Sequence, residues 1–267
     1  MTDGGTGAAP GDEMGPLGSL RGQTALVTGS TRGLGRTMAD WLARAGAGIV
    51  VSGRDPAEVD RVVAEVGDLG VPCRGHAADL ARSEAAHALA RAALAGGGVD
   101  ILVNNAGMSL RGPFWEVTDA EFEEQINVNF RAPFILSQHV ARSLIGRGVG
   151  GRIVNVSTIG AHAAHPDGAV YDSAKGAIET LTRNMAHELA PHGVTVNCVI
   201  PGAIPDRPGS DVTDADRASV VRHIPVGRVG RAEDVAAAVA FFCSPASEFT
   251  TGQSLLVDGG HRGYLLE

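Results

Sequence analysis

The sequence predicts an α/β protein with a single doubly wound domain and a mostly seven-stranded parallel sheet. Short apolar segments alternate with stretches of helical periodicity over most of the chain, and this alternation implies parallel strands joined by right-handed crossovers. The apolar segments lack a regular polar alternation, so both faces of the sheet should be covered. We therefore expect helices on both sides of one sheet.

The predicted elements follow one another in a regular order. Strands are expected at residues 24–28, 49–52, 71–76, 99–103, 151–156, 194–200 and 253–257. Helices are expected from a glycine-rich turn to residue 45 and at residues 56–69, 83–95, 119–147, 169–191 and 231–242.

The ends of these elements set the expected domain organisation. Residues 1–18 are rich in glycine and have no hydrophobic period, so we expect a disordered tail before a domain formed by residues 19–267. From about residue 202 to residue 230 Pro, Gly and Asp interrupt the pattern. We expect a substrate lid in that segment.

Composition and charge exclude several kinds of partner and site. The chain has 267 residues, 44% of them hydrophobic, and a net charge of −8, so nucleic acid is not an expected partner. The sequence shows neither a signal peptide nor a membrane span, and we expect a cytoplasmic protein without membrane contact. Cys73, Cys198 and Cys243 lie far apart and form no ligand motif. We expect buried thiols and no metal site.

A glycine-rich turn follows the first predicted strand. Gly29, Gly33 and Gly35 lie in the sequence Gly29-Ser-Thr-Arg-Gly-Leu-Gly35, which opens a helix. Glycines let the backbone turn tightly and let a pyrophosphate approach the helix N-terminus, where free N–H groups favour an anion. Three glycines alone are a common pattern, but their place between a strand and a helix indicates a dinucleotide site.

A tyrosine and a lysine on the helix predicted at residues 169–191 form a candidate for proton transfer. Tyr171 and Lys175 are four residues apart, so both side chains lie on one helix face. A fixed cation beside a phenol stabilises its phenolate, which favours proton transfer near neutral pH. The same spacing occurs by chance on many helices. The predicted dinucleotide site earlier in the chain supports a catalytic role for this pair.

Further motifs follow in a fixed order. They are Asn104-Asn-Ala-Gly107, Asn129, Tyr171-Asp-Ser-Ala-Lys175, Asn197 with Pro201-Gly202, and Val257-Asp-Gly-Gly260. With the glycine-rich turn, their order and spacing resemble the short-chain dehydrogenase/reductase family from residue 20 to the C-terminus. The local sequence resembles its gluconate 5-dehydrogenase-like and 3-oxoacyl-carrier-protein reductase-like members. The resemblance implies a Rossmann fold and a nicotinamide cofactor.

The resemblance also implies roles for the matching residues. Tyr171 would be the general acid in carbonyl reduction, and Lys175 would assist it and bind the nicotinamide ribose. Asn129 would hold a water that links Lys175 to solvent, whereas Asn127 should project from another side of its helix. Asn104 should tie neighbouring strands together. The implied cofactor-binding residues are Gly29, Thr31, Arg32, Gly33, Leu34, Gly35, Arg54, Asp79, Leu80, Asn105, Ala106, Gly107, Tyr171, Lys175, Pro201, Gly202 and Ile204.

Two positions depart from the family pattern. The usual substrate-orienting serine is replaced by Thr158, which keeps the hydroxyl but has a stiffer χ1. We expect Thr158 to be catalytic in its place and the adjacent Ser157 to face the other way. Where the family usually places a threonine near the nicotinamide carboxamide, this chain has Asp206. Its carboxylate accepts hydrogen bonds and does not donate them.

The end of the second predicted strand bears on the choice between NAD(H) and NADP(H). A protein that selects NAD places an acidic residue there to bind the ribose 2′-hydroxyl, but this chain has Gly53. Arg54 follows and Arg32 lies in the glycine-rich turn, and guanidiniums suit a 2′-phosphate. Asp55 is a counter-argument, because it either neutralises Arg54 or starts the next helix. We expect the second arrangement and an NADP(H) cofactor.

The expected function is the NADP(H)-dependent interconversion of a ketone and a secondary alcohol on a small polar substrate. A sugar acid or a secondary-metabolite intermediate is the expected substrate class. One alternative is a 3-oxoacyl-carrier-protein reductase, which docks an acidic carrier through arginines, and Arg147 lies close to one such position. An alternative of another class is a non-catalytic NADP-binding sensor or scaffold, which the presence of Tyr171 and Lys175 disfavours.

Two further expectations concern the loop before Tyr171 and the assembly. His162 and His165 are either substrate contacts or ordinary loop histidines, and the second interpretation is preferred. The resemblance implies a homotetramer, with the long helices paired across one interface and the C-terminal strand and helix across another.

Overall fold

The apolar runs form the strands of one parallel sheet in the computed structural model, which describes residues 17–205 and 213–263. The strands are β1 (Thr24–Thr28), β2 (Gly48–Gly53), β3 (Cys73–Ala77), β4 (Ile101–Asn104), β5 (Gly151–Val156), β6 (Val194–Pro201) and β7 (Ser254–Val257). Their order across the sheet is β3-β2-β1-β4-β5-β6-β7, and neighbouring strands pair in parallel. The predicted α/β fold with seven parallel strands is confirmed.

Helices connect the strands and cover both faces of the sheet. They are α1 (Gly33–Arg44), α2 (Pro56–Gly67), α3 (Ser83–Ala95), α4 (Asp119–Ile126), α5 (Ala132–Arg147), α6 (Ala169–Leu189), α7 (Asp214–Val221) and α8 (Ala232–Cys243).

The helices differ from the sequence prediction in two places. The long helix expected at residues 119–147 is divided, because a π-helical turn at Asn127–Arg131 separates α4 from α5. The sequence does not predict α7, because the Pro, Gly and Asp residues around it mask a helix of only eight residues. The rest of the expected lid is irregular over its described part, and the expected tail lies almost wholly outside the described residues.

The strand order reverses at β1, with β2 on one side of it and β4 on the other. In open α/β sheets a ligand crevice forms beyond the carboxyl ends of the strands at such a reversal. The segments that follow β1 and β4 meet there, because Asn105 Nδ2 lies 3.4 Å from the carbonyl oxygen of Gly29. The fold therefore places the glycine-rich turn at the expected crevice.

Alternate residues of each central strand pack into two separate hydrophobic layers. In β1, Ala25 and Val27 belong to the layer that contains α1 and α8. Leu26 belongs to the opposite layer, with residues of α3 and α5. All three side chains are fully buried, and burying a large aliphatic side chain contributes about 1.5–3 kcal/mol. Burial on both faces explains the absence of polar alternation in the sequence.

The three cysteines are free thiols in this fold. Burial raises the pKa of Cys198 and of Cys243 to about 12 each, and that of Cys73 to about 11. All three thiols therefore stay protonated at neutral pH and are poor nucleophiles. Over residues 17–205 and 213–263, no group of three or more His, Cys, Asp or Glu residues is arranged to hold a metal ion. In the same ranges no helix has the length and apolar character that crossing a membrane requires.

Candidate active site

A cavity of about 1120 Å³ lies beyond the carboxyl ends of the central strands. Its walls come from the glycine-rich turn, the ends of β2 and β3, the segments after β4, β5 and β6, and α6. All of the cofactor-binding residues predicted from the sequence line this cavity, and so does Thr158. Asp206 lies outside the described residues.

The glycine-rich turn forms a tight cradle at the start of α1. Gly29 and Gly33 have φ angles of +64° and +56°, a region that favours glycine. A β-carbon on Gly35 would lie 2.3 Å from the carbonyl oxygen of Gly29, so no side chain fits there. Arg32, the N-cap residue, makes no side-chain hydrogen bond to the helix. The first-turn N–H groups therefore face the cradle without a side-chain cap, as binding a dinucleotide pyrophosphate requires.

The segment after β4 is fixed to β1 beneath this cradle. Thr28 Oγ1 accepts the backbone N–H groups of Asn105 and Ala106, each at 3.0 Å. Asn105 Nδ2 donates to the carbonyl oxygen of Thr28 at 2.9 Å. The amide of Asn105 is therefore engaged with β1, and the residue contributes to the cavity mainly by holding its wall in place.

Two arginines line the cavity, one in the glycine-rich turn and one directly after β2. Arg32 and Arg54 are exposed and line it, and neither makes a side-chain hydrogen bond or ion pair with the described residues. A β-carbon on Gly53 would lie 2.5 Å from Thr31 Cγ2, so an acidic side chain there would require the threonine side chain to move. Asp55 Oδ1 accepts the N–H of Ala57 at 2.9 Å and caps α2. The expectation that Asp55 starts the helix is confirmed.

Tyr171 and Lys175 lie one turn apart in α6, and both are buried. Lys175 Nζ is 5.9 Å from the centre of the Tyr171 ring. It donates to the carbonyl oxygen of Val156 at 2.9 Å, which anchors the ammonium at the end of β5. The helix therefore holds a fixed cation on the same face as the phenol ring.

Thr158 and Ser157 point in different directions, as strand alternation predicts. Ser157 Oγ donates to Glu179 Oε1 of α6 at 2.7 Å. Thr158 Oγ1 accepts the N–H of Gly160 at 3.3 Å. That contact uses an oxygen lone pair, so the hydroxyl proton of Thr158 remains available to an oxygen atom in the cavity.

Asn129 lies in the π-helical turn and is fully buried. Its Nδ2 donates to the carbonyl oxygens of Met108 at 2.7 Å and Gln125 at 2.9 Å. Its Oδ1 accepts the N–H of Met108 at 3.1 Å. Both amide hydrogens are therefore used within the protein, and Oδ1 is the amide atom with capacity left for a water. The water-holding role implied by the family stays a prediction.

Asn127 and Asn104 behave as the sequence predicts. Asn127 Nδ2 donates to the carbonyl oxygen of Ala81 at 2.9 Å, away from the partners of Asn129. Asn104 Nδ2 donates to Asn155 Oδ1 at 2.8 Å. Because these residues belong to β4 and β5, Asn104 ties the two strands together.

The loop at residues 159–168 carries two histidines that contact carboxylates of α6. His162 Nε2 lies 2.8 Å from Glu179 Oε2. His165 Nδ1 lies 2.8 Å from Asp172 Oδ1, and the backbone N–H of His165 donates to Asp172 Oδ2 at 2.9 Å. His165 lines the main cavity, and both histidines line a smaller one of about 570 Å³. The interpretation as ordinary loop histidines does not anticipate these pairs, since the pairing depends on how the loop folds back.

Comparison with known proteins places this geometry in a family. The chain matches the family model described as Enoyl-(Acyl carrier protein) reductase over residues 29–262. The chain belongs to the short-chain dehydrogenase/reductase family. The match spans most of the chain, from the glycine-rich turn to the segment after β7, so the resemblance inferred from the motifs is confirmed.

Relatives within the short-chain dehydrogenase/reductase family act on small polar molecules, according to their names. The chain is 42% identical to L-xylulose reductase of Mesocricetus auratus over 243 residues, 90% of this chain and 97% of that reductase. It is 36% identical to gluconate 5-dehydrogenase of Gluconobacter oxydans, over 91% of this chain and 96% of that enzyme. The structure of a gluconate 5-dehydrogenase from Burkholderia cenocepacia, in complex with NADP and tartrate, superposes with a TM-score of 0.87. That enzyme is 33% identical, and the comparison covers 92% of this chain and 98% of the other.

These findings establish the general activity. The chain is an oxidoreductase that interconverts a ketone and a secondary alcohol on a small polar substrate. Its cavity holds the tyrosine, the lysine and the hydroxyl group that such a reaction needs, together with a cradle that fits a nicotinamide dinucleotide.

Proposed function

We propose that this short-chain dehydrogenase/reductase uses NADP(H) to interconvert a polyhydroxylated ketone, such as a ketose or a keto sugar acid, and its alcohol. One observation carries the proposal: a single cavity holds a proton-transfer pair with a hydroxyl donor, and also a cradle with two arginines whose side chains make no hydrogen bond or ion pair with the described residues. The first set suits a carbonyl, and the second suits a phosphorylated dinucleotide.

The catalytic roles follow from the hydrogen bonds. In reduction, Thr158 donates its hydroxyl proton in a hydrogen bond to the substrate carbonyl oxygen, and Tyr171 transfers its own proton to that oxygen. Lys175, anchored on Val156, stabilises the phenolate that results. In oxidation, Tyr171 takes the proton of the alcohol. Asn129 holds the segment after β4 in place and supports renewal of the proton through Lys175.

The preference for NADP(H) rests on charge and space at the end of β2. A bound nicotinamide supplies or accepts the hydride. Arg32 and Arg54 provide planar donors for a 2′-phosphate, while Gly53 has no carboxylate to repel it, and a β-carbon there would crowd Thr31. The carboxylate of Asp55 is engaged by the α2 N-terminus. The complex of the related Burkholderia cenocepacia enzyme with NADP is consistent with this choice.

The proposed substrate class rests on the polar groups near Tyr171. Arg111 lines the main cavity and donates to the carbonyl oxygen of Pro166 at 3.2 Å. Its guanidinium has further donors for a carboxylate or a hydroxyl, and His165 lines the same cavity. Relatives are named for a ketose and a sugar acid, and one solved relative contains the hydroxy acid tartrate.

The structure weakens the carrier-protein alternative. Arg147, which lies close to an expected docking position, donates to Asp100 Oδ1 and to the carbonyl oxygen of Val99, each at 2.9 Å. This guanidinium is therefore engaged within its own chain rather than free to dock an acidic carrier.

The expected assembly and location belong to the same proposal. Exposed apolar side chains occur on α4 and α5 and again near β7, the two regions that the homotetramer prediction pairs. We propose this tetramer and, in keeping with free cysteines, a cytoplasmic location.

A substrate panel tests the proposed function. The purified enzyme is assayed by NADPH and NADH absorbance with a pentulose, with 5-keto-gluconate and with 2-pentanone, which shares the pentulose carbon chain without its hydroxyls. The reverse reaction is assayed with the corresponding alcohols. We expect the highest kcat/KM with NADPH and a polyhydroxylated ketone. Equal kcat/KM on the pentulose and on 2-pentanone contradicts the substrate class, and equal kcat/KM with both cofactors contradicts the cofactor.

A further inference from the structure

His165, in the segment before Tyr171, lines the main cavity and is paired with Asp172 of α6. We propose that His165, held by Asp172, accepts a hydrogen bond from a substrate hydroxyl other than the reacting one, and so selects polyhydroxylated ketones over simple ketones. This inference rests on the proposed function and deepens it, because it names the side chain that recognises the substrate's additional hydroxyls.

Asp172 fixes both the position and the hydrogen-bonding pattern of the ring. One carboxylate oxygen lies 2.8 Å from His165 Nδ1, and the other accepts the backbone N–H of the same residue at 2.9 Å. A carboxylate only accepts, so Nδ1 carries the proton of this bond. In the neutral ring Nε2 is then an acceptor, and no described residue contacts it with a hydrogen bond. Its natural partner is a hydroxyl group.

The pair packs against Gly160, which is itself hydrogen-bonded to Thr158. A β-carbon on Gly160 would lie 2.1 Å from Asp172 Oδ1 and 2.2 Å from His165 Nδ1, so the pair rests directly on that glycine. The N–H of Gly160 donates to Thr158 Oγ1, and Asp172 directly follows Tyr171 in α6. His165 and the two hydroxyl-bearing residues line the same cavity. A short segment of backbone therefore connects the pair to the proposed catalytic residues.

The pair is also sheltered enough for its hydrogen bond to matter. The side chains of His165 and Asp172 are 30% and 13% exposed. A partly buried acceptor without a partner carries a desolvation penalty, and a substrate hydroxyl removes it. A ketone without hydroxyls leaves Nε2 unpaired, so the pair discriminates against it as well as favouring the hydroxylated substrate.

The alternative is that Asp172 only ties the loop to α6 and that Nε2 meets no ligand. The substitution His165→Asn separates the two roles. The amide nitrogen of asparagine takes the place of Nδ1 and keeps a donor for Asp172, but no atom takes the place of Nε2. A role in tying the loop survives this change, whereas a role in recognition does not.

The experiment compares kcat/KM for a pentulose and for 2-pentanone in the parent, His165→Asn and Asp172→Asn. We expect His165→Asn to lower the pentulose/2-pentanone ratio by about ten- to hundredfold, the usual effect of one lost hydrogen bond in a sheltered site. We expect Asp172→Asn to lower it too, because an amide in that place is free to donate to Nδ1 and so move the ring proton to Nε2. Asp167→Asn is the matched control, since it removes the charge of an exposed residue in the same loop that lies outside the main cavity.

Each outcome bears on one claim. A parent enzyme with no preference for the pentulose contradicts the proposed substrate class. A parent with that preference, retained in a folded His165→Asn variant, overturns the role of Nε2. A retained preference in Asp172→Asn overturns the orienting role of Asp172. Thermal unfolding and NADPH fluorescence of each variant show that the fold and the dinucleotide site are intact, so that a lost ratio is assigned to substrate recognition.

Discussion

At the scale of single residues, the site depends on which hydrogen bonds are already made within the protein. Thr158 Oγ1 accepts a hydrogen bond from Gly160 and keeps its own donor available, whereas Ser157 Oγ donates a hydrogen bond to Glu179. Of these two adjacent hydroxyls, only that of Thr158 still has a hydrogen-bond donor available for a ligand. The sequence predicts which of them faces the cavity, because strand alternation is a local property, but it does not reveal the partner that occupies the other.

The contribution of the Thr158 hydroxyl to catalysis can be tested with an isosteric substitution. We expect Thr158→Val to lower kcat/KM by about 10²–10³-fold, the size of effect seen when a donor to a developing oxyanion is removed. Thr158→Ser should retain most of the activity, because it keeps the hydroxyl. Steady-state kinetics on the same substrate check both variants, and near-parental activity of Thr158→Val would show that its hydroxyl is not needed.

The proposed mechanism depends most on proton transfer by Tyr171. We expect Tyr171→Phe to reduce kcat by about 10²–10⁴-fold, because the ring still packs but has no proton to transfer. NADPH affinity, measured by fluorescence titration, should change little. If this variant turns over at nearly the parental rate, another group supplies the proton.

Arg54, together with Arg32, is expected to recognise the 2′-phosphate of NADPH. We expect Arg54→Ala to lower kcat/KM with NADPH by about tenfold or more while affecting NADH less, because only NADPH presents a 2′-phosphate to the guanidinium. Arg44→Ala is the control, since Arg44 is an exposed arginine at the end of α1 that does not line the cavity. An equal loss with both cofactors would remove Arg54 from 2′-phosphate recognition.

At the scale of elements, the π-helical turn between α4 and α5 connects the fold to the site. Asn129 Nδ2 reaches the carbonyl oxygen of Gln125, four residues earlier, and that of Met108 in the segment after β4. One buried amide therefore stabilises the widened turn and fixes the cavity wall. A buried group with three protein hydrogen bonds is costly to replace.

This connection gives a stability prediction. Asn129→Asp keeps the shape but replaces two amide hydrogens by a carboxylate oxygen that faces the carbonyls of Met108 and Gln125. We expect the free energy of unfolding to fall by about 1–3 kcal/mol for each donor lost, measured by urea denaturation. Asn127→Asp is the comparison: Asn127 donates to a single carbonyl, that of Ala81, and is only partly buried. A loss no greater than that of Asn127→Asp would contradict the structural role of Asn129.

The elements also show which parts of the fold are predictable. The bounds of α3 and β5 agree with the sequence prediction, because their apolar patterns are local and end at turn residues. β3 begins at Cys73 rather than residue 71, since Pro72 has no N–H to donate to the sheet. The π-helical turn is not predictable in this way, because hydrophobic periodicity continues through it. The contact of His165 with Asp172 is hidden as well, since it depends on a loop folding back on α6.

At the scale of the whole molecule, some of the exposed apolar side chains lie in the two regions that the homotetramer prediction pairs, whereas others, such as Trp115 and Val226, lie outside them. Phe134 and Ile145 lie on α5 and are exposed. They are eleven residues apart, so they lie on nearly the same helix face, and Phe122 of α4 is also exposed. Near β7, Phe249 is fully exposed and Leu255 is partly so. Apolar groups of this kind favour protein contacts when they cluster.

The oligomeric state can be tested one region at a time. We expect the parent to have four times the chain mass by light scattering, and Phe134→Glu and Phe249→Glu each to reduce it to a dimer. A charge at the centre of an apolar interface is buried without a partner and opposes association, and in a tetramer with two-fold symmetry each interface can be lost without the other. The double variant should be monomeric. Val149→Glu, an exposed apolar position in the turn after α5, is the control and should remain tetrameric. A monomeric parent at micromolar concentration would contradict the prediction, and a tetrameric Phe249→Glu variant would show that the β7 region is not an interface.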